Sequence, residues 1–191
     1  MTRDLLLCFP DEADFGHRLA QTAGLDVAIV EHHPFPDGEI KLRLPAALPA
    51  RVVILRSLNQ PNDQLIELLL TARTARLLGA RHLSLVAPYL AYMRQDIAFQ
   101  PGEAISQRIV GQFIAELFDT VITIDPHLHR IKTLDEAVPV GCAVVLSAAP
   151  LLAEFVAGHR IAPVLIGPDE ESAQWIELAA TRHRFDHAVC H

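Results

Sequence analysis

Polar side chains able to do chemistry collect at four junctions of this chain. The first is Arg94-Gln95-Asp96, in a loop that opens where the apolar run His82 to Ala87 is stopped by Pro88, with Tyr89, Tyr92 and Phe99 around it. Arg offers a planar donor fork suited to phosphate oxygens, Gln an amide donor and acceptor together, and Asp a group that can hold a metal ion or orient the Arg. On a plain surface the same triplet is an ordinary salt bridge. The second is Asp125-x-His127-x-His129, metal-ligand types directly after another apolar run; its plain alternative is a helix cap at Asp125 with two solvent-facing histidines. Zinc would want a further Cys or His in clear spacing, which is not seen. Magnesium needs only one or two protein ligands beside phosphate and water, so one residue here together with Asp169 would suffice. The third junction, Asp169-Glu170-Glu171-Ser172, is equally the acidic start that a helix N-terminus favours. The fourth, Phe35-Pro36-Asp37-Gly38-Glu39, is by default a hairpin turn. In a functional version, Phe35 stacks on an adenine ring and the carboxylates accept from its amino group.

The elements that must position these groups follow a repeated strand and helix order. Leu5 to Phe9 is a buried-strand candidate closed by Pro10, and Asp11 to Ala23 shows helical spacing with Gly24 as its stop. Asp26 to His33 and Glu39 to Leu44 read as two strands joined by the Pro34 to Gly38 turn, the second alternating with Ile40, Leu42 and Leu44 inward. Arg51 to Leu55 is a strand, followed by a helix capped at Asn62 or Asp63, ended by Gly79, with Leu65, Ile66, Leu69, Ala72 and Leu77 on its apolar face. Ala104 to Leu117 reads as a helix with Ile105, Ile109, Phe113 and Leu117 along one side, and Thr120 to Ile124 as the next strand. This order predicts an α/β fold whose sheet is largely parallel and covered on both faces. In such sheets ligands bind beyond the carboxyl ends of the strands.

From Gly141 the pattern restarts: strand Ala143 to Leu146, helix Ala148 to Val156, strand Val164 to Ile166, helix Glu170 to Ala180, and one more strand from Phe185. The expected domains are therefore residues 1–140 and 141–191. About fifty residues make a small second domain, expected to be the first part of a longer one.

Of the 191 residues, 51% are hydrophobic, enough for one full core or two small ones in a soluble globular protein. A formal net charge of −7 argues against broad nucleic-acid or anionic-membrane binding, so a phosphate ligand would have to be captured locally. Lys41 and Lys132 are the only lysines, which leaves Arg to supply most of the positive charge. Cys8, Cys142 and Cys190 are widely spaced and odd in number, fitting reduced thiols. No apolar stretch is long enough for a bilayer and the N-terminus does not read as a signal peptide, so the expected location is the cytoplasm.

Neither G-x-x-x-x-G-K-[ST] nor G-x-G-x-x-G occurs, which argues against a P-loop kinase or a Rossmann dehydrogenase. Five ordered segments, FPDGEIKLRL, NQPNDQLIELLLTARTARLLGA, APYLAYMRQDIAFQPGEAIS, VITIDPHLHR and LIGPDEES, together resemble the ribose-phosphate pyrophosphokinases, or phosphoribosyl pyrophosphate synthetases, over Phe35 to about Ala180. The resemblance implies transfer of the diphosphate of ATP to ribose 5-phosphate with Mg2+ as cofactor. It implies two phosphoribosyltransferase-type α/β domains, the second incomplete here, and a homo-oligomer, dimer or hexamer. Carried over by motif, Phe35, Asp37, Gly38 and Glu39 would approach adenine across a subunit boundary. Arg94, Gln95 and Asp96 would bind ATP, and His127 and Asp169 would hold magnesium.

Departures from the family pattern are specific. Pro126 stands where Leu is usual, and Ile97 and Ala98 stand where many relatives carry basic residues. The family's catalytic Lys and Arg, and its ribose 5-phosphate loop, correspond to positions beyond His191, so no catalytic residue is assigned here and the chain is expected to be inactive by itself. The alternative reading is a non-catalytic homologue that joins family oligomers and regulates them. A phosphoribosyltransferase that consumes the product would need the same sugar-phosphate loop and leaves the Arg94 loop without a use.

Overall fold

The computed structural model describes residues 3–190. They divide into two compact units, one running to Val145 and the other starting at Leu146. The first unit is built on β1 (Leu5–Cys8), α1 (Ala13–Ala23), β2 (Asp26–Ile29), β3 (Glu31–Pro34), β4 (Ile40–Arg43), β5 (Arg51–Leu55), α2 (Pro61–Leu77), β6 (His82–Ala87), α3 (Ser106–Leu117), β7 (Thr120–Ile124), α4 (Leu134–Ala137) and β8 (Cys142–Leu146).

Six of these strands form one sheet in the order β2-β1-β5-β6-β7-β8, with β1 parallel to β2 and β5, β5 to β6, and β6 to β7. The strand expected at Ala143 to Leu146, near the opening of the second domain, forms as β8, which takes the place beside β7 in this sheet. The parallel arrangement follows from the helices between strands, which return the chain to the same edge. Alternate residues of β1 go to opposite faces. Leu7 and Phe9 join a large core with Ile54, Leu85, Leu68 and Ile114, while Leu6 and Cys8 join a smaller one with Ala20 and Leu55. Such continuous apolar strands are what two-sided cover requires. Burial, reinforced by nearby Glu12 and Asp11, pushes the Cys8 thiol up, and none of the three cysteines is in a disulfide.

The expected strand Asp26 to His33 is two strands. β2 stays in the main sheet, the chain passes through fully buried Val30, and β3 pairs antiparallel with β4 as a hairpin of its own, His32 opposite Leu42. Gly38, at φ 91, supplies the left-handed residue that its turn needs.

Two helices present faces other than those the sequence predicts. α2 buries Gln64, Glu67, Leu68, Thr71, Ala72 and Ala75, leaving Ile66 50% and Leu77 87% exposed. It starts at Pro61 rather than at an Asn62 or Asp63 cap, and the Gln64 side chain instead accepts from the backbone N–H of Gln60 at 2.7 Å. On the inward face Glu67 is paired with Arg56, itself in the interior. α3 buries Gln107, Gly111, Ile114 and Leu117, and Ile109 faces out. Asp119 ties the far end of the sheet, accepting from the Leu83 N–H and from Arg76, both at 2.7 Å. Burial pushes its carboxyl up, but those two hydrogen bonds and the Arg76 charge outweigh it and hold it below the usual range.

The second unit contains α5 (Ala149–His159), β9 (Val164–Gly167), α6 (Ala173–His183) and β10 (Asp186–Val189), with β9 and β10 parallel. Its core is small: Ala149, Ala153 and Ala179, with Leu165, Trp175 and Phe185 partly buried against them. No helix among the described residues is long and apolar enough to cross a membrane.

Candidate functional site

The order of strands reverses between β1 and β5, and in open α/β sheets the crevice at that reversal is the usual ligand position. Here an ion-pair network lines the crevice. Arg56, the first residue after β5, is 5% exposed and lies 4.5 Å over the Phe9 ring. Its Nη1 donates to both Asp11 oxygens at 2.8 and 2.7 Å and to Glu12 at 3.2 Å, and its Nε donates to Glu67 at 2.6 Å. The ring of His32 on β3 lies 3.2 Å from the other Glu67 oxygen. Burial pushes the Glu67 carboxyl up, against the opposing pull of Arg56 and His32. With its charge spent on three carboxylates, Arg56 offers little to an anionic ligand.

A cleft of about 760 Å3 opens over this network, with Asp11, Glu39, Asp63 and Glu67 on its polar side and Ile66 and Leu70 on its apolar side. Of the hairpin residues expected at adenine, Gly38 and Glu39 line the cleft, and none of Arg94, Gln95 or Asp96 does. Phe35 is 40% exposed, with the His33 ring edge-on at 4.9 Å. Asp37 Oδ1 accepts from the Glu39 N–H at 3.1 Å, which shapes the turn. Gly38 and Glu39 thus line a cleft that Arg94, Gln95 and Asp96 do not.

The other polar junctions lie at the carboxyl ends of β6 and β7, neighbours in the sheet. After β6 the chain makes a left-handed residue at Tyr92, φ 62, and the Tyr92 hydroxyl donates to Asn62 at the start of α2. A non-glycine residue there costs about 1 kcal/mol, which the surrounding contacts must offset. The loop closes on the first turn of α3: buried Gln107 donates through Nε2 to the Met93 carbonyl at 3.1 Å and through its backbone to the Gln95 carbonyl at 3.2 Å. Arg94 is left exposed between these two anchors. Asp96 points inward instead. Its side chain is 2% exposed, and Oδ1 accepts from Nη1 of Arg130 at 2.6 Å.

After β7 a second left-handed residue, Asp125 at φ 42, turns the chain, and the rings of His127 and His129 stack with centroids 6.1 Å apart. Asp125 does not begin a helix, since the next one is α4, entered through a capping box between Thr133 and Glu136. The Asp96–Arg130 pair thus bridges the loops after β6 and β7. In the second unit, Asp169 caps the turn before α6, accepting from the Ser172 N–H at 2.9 Å.

Among the described residues no three His, Cys, Asp or Glu side chains gather where they could hold a metal ion. Taken singly, half-buried His127 in the first unit and Asp169 in the second, with one carboxylate oxygen engaged, each offer one donor group, the kind that suits a divalent cation held mainly by phosphate oxygens and water. Sequence reasoning missed Arg56, Glu67, Gln107 and Arg130. Arg56 and Arg130 each follow a strand's carboxyl end, the same signal that picked out Arg94, and Glu67 interrupts a helix face otherwise read as apolar.

Comparison with known proteins adds ancestry to this geometry. Residues 5–117 match the model of the N-terminal domain of ribose phosphate pyrophosphokinase. Curated relatives include a ribose-phosphate pyrophosphokinase of Methanopyrus kandleri, 37% identical over 172 residues, covering 87% of this chain and 57% of the relative. Another is ribose-phosphate pyrophosphokinase 2 of Archaeoglobus fulgidus, 31% identical, covering 95% of this chain and 59% of the relative. The chain therefore spans a little over half the length of these relatives. Among solved structures, phosphoribosylpyrophosphate synthetase from Mycobacterium smegmatis superposes with a TM-score of 0.81 at 20% identity, over 98% of this chain and 64% of that one, a likeness of fold.

Proposed function

This chain belongs to the ribose-phosphate pyrophosphokinase family, and on that footing we propose that the whole protein transfers the diphosphate of ATP to ribose 5-phosphate, giving phosphoribosyl pyrophosphate. The observation that carries the reading is the pair of loops beyond β6 and β7, tied by Asp96 and Arg130, with Arg94 held exposed between anchors. Attack on the β-phosphorus asks the protein for in-line positioning and charge neutralisation more than for covalent chemistry. Arg94 supplies a guanidinium to the phosphates, and the Gln95 side chain offers an amide to the nucleotide. Phe35, Asp37, Gly38 and Glu39 serve the adenine of a neighbouring copy in a homo-oligomer. His127 and Asp169 are the residues that would hold Mg2+ arriving on the triphosphate, which when bound neutralises charge on the transferred group. The reaction is cytoplasmic and involves neither nucleic acid nor membrane.

The 191 residues alone are proposed not to turn over. A non-catalytic homologue that assembles with family members is the second reading. It is favoured by the commitment of Asp169 to a helix cap, which draws an expected ligand into a structural duty. Calorimetric titration of the chain with Mg-ATP, alongside Arg94→Ala, tests the site: about tenfold weaker binding is expected for the variant. Unchanged affinity removes Arg94 from the role, and robust phosphoribosyl pyrophosphate formation by the chain overturns its proposed inactivity.

A further inference from the structure

We propose that Arg130 is a second phosphate-binding guanidinium of this site and that Asp96 is the positioning residue that aims it. The inference rests on the nucleotide reading above for the identity of the ligand, but its geometry stands on its own. Asp96 is as buried as the hydrophobic core, and while Oδ1 is paired with Arg130, Oδ2 is buried with no hydrogen-bond partner. A carboxylate so placed is costly unless a full positive charge sits against it, so it fixes the guanidinium firmly. Arg130 is not buried in return: 42% of its side chain stays accessible. A guanidinium carries five N–H donors in a rigid plane, and the recorded contact with Asp96 uses one nitrogen.

Position points the remaining donors to an anion. Arg130 lies six residues past the end of β7, and Arg94 lies seven past the end of the adjacent β6, two before Asp96 itself. The two arginines are thus presented by neighbouring loops at the ligand-facing end of a parallel sheet. Arg56, at the same end of β5, has its charge taken up by Asp11, Glu12 and Glu67. After Asp96 the loop continues as Ile97-Ala98-Phe99, with no cation. Arg130 supplies a cation from the loop after the adjacent strand. The ligand chemistry is a polyphosphate, for which planar paired donors are well suited.

The test uses calorimetry on the 191-residue chain with sodium tripolyphosphate, a probe without base or sugar, in parallel with Mg-ATP and with adenosine. Arg130→Gln is expected to weaken tripolyphosphate and ATP by about tenfold each while leaving adenosine unchanged. Arg130→Lys should recover only part of the loss, because one ammonium cannot keep both Asp96 and a phosphate in a common plane. Asp96→Asn should weaken tripolyphosphate in the parent and do nothing further in Arg130→Gln, a non-additivity that a merely structural role of Asp96 does not produce. Parental tripolyphosphate affinity in Arg130→Gln, with Arg94→Ala impaired, overturns the role of Arg130 and leaves the nucleotide reading intact. Arg130-dependent tripolyphosphate binding without ATP binding does the reverse, and binding of neither overturns both.

Discussion

At the scale of single residues, Arg56 shows what an ion pair in the interior demands. Its partners come from three separate places: Asp11 and Glu12 after β1, Glu67 on α2, and through Glu67 also His32 on the hairpin. Arg56→Ala leaves the buried Glu67 without its cation, so a loss of about 3–5 kcal/mol at neutral pH is expected in urea unfolding. The loss should depend on pH in a definite sense. Burial holds the Glu67 pKa above its unfolded value, so the native state binds a proton there before the unfolded chain does. Stability therefore falls as pH rises from the ordinary carboxylate range through the raised native pKa. Without Arg56 that native pKa rises further, and the deficit of the variant should shrink on acidification from pH 7.5 to 5. A deficit that stays constant or grows would show that Glu67 remains ionised without help.

At the scale of elements, α3 is the piece that holds the two loops in register. It begins shortly after the Arg94 loop, which it anchors through Gln107, and it packs against α4, the helix that follows the histidine loop. Gly111 makes that contact possible: a Cβ there would collide with the carbonyl of Ala137. Backbone cannot give way as a side-chain tip can, so Gly111→Ala is expected to lower stability by about 2 kcal/mol or more in thermal unfolding. It should also weaken Mg-ATP binding by displacing α4 and the loop before it. Strands were the legible part of this architecture, since Arg51–Leu55, His82–Ala87 and Thr120–Ile124 stand where apolar runs and their stops predicted them. Helix faces were less legible. α2 and α3 bury Gln64, Glu67, Thr71 and Gln107; Gln64 pairs with Asn59 and Gln60, while Glu67 and Gln107 find Arg56 and the Met93 carbonyl, partners more than ten positions away that only folding brings near. The site was legible as residue types, in Arg94 and the polar turns. The pairing of Asp96 with Arg130, 34 positions apart, was not, because nothing local marks it.

At the scale of the whole molecule, the two units are unequally built. The first has a continuous core on one face of its sheet and a smaller core on the other. The second rests on three alanines and leaves Leu151, Leu152, Phe155 and Ile166 largely exposed. So small a core supports little stability of its own. Hydrogen exchange should find the amides of α5 and α6 exchanging about tenfold or more faster than those of β5 and β6. Equal protection would show that the second unit is far better stabilised than its core suggests.

Among the described residues the strands of the β3 and β4 hairpin pair only with each other, and its aromatic tip is open to solvent. If that tip completes another molecule's pocket, as proposed, ligand occupancy and self-association become one equilibrium. Dilution would then loosen the nucleotide as surely as removing it, and a cell making less of this protein would lose affinity as well as capacity.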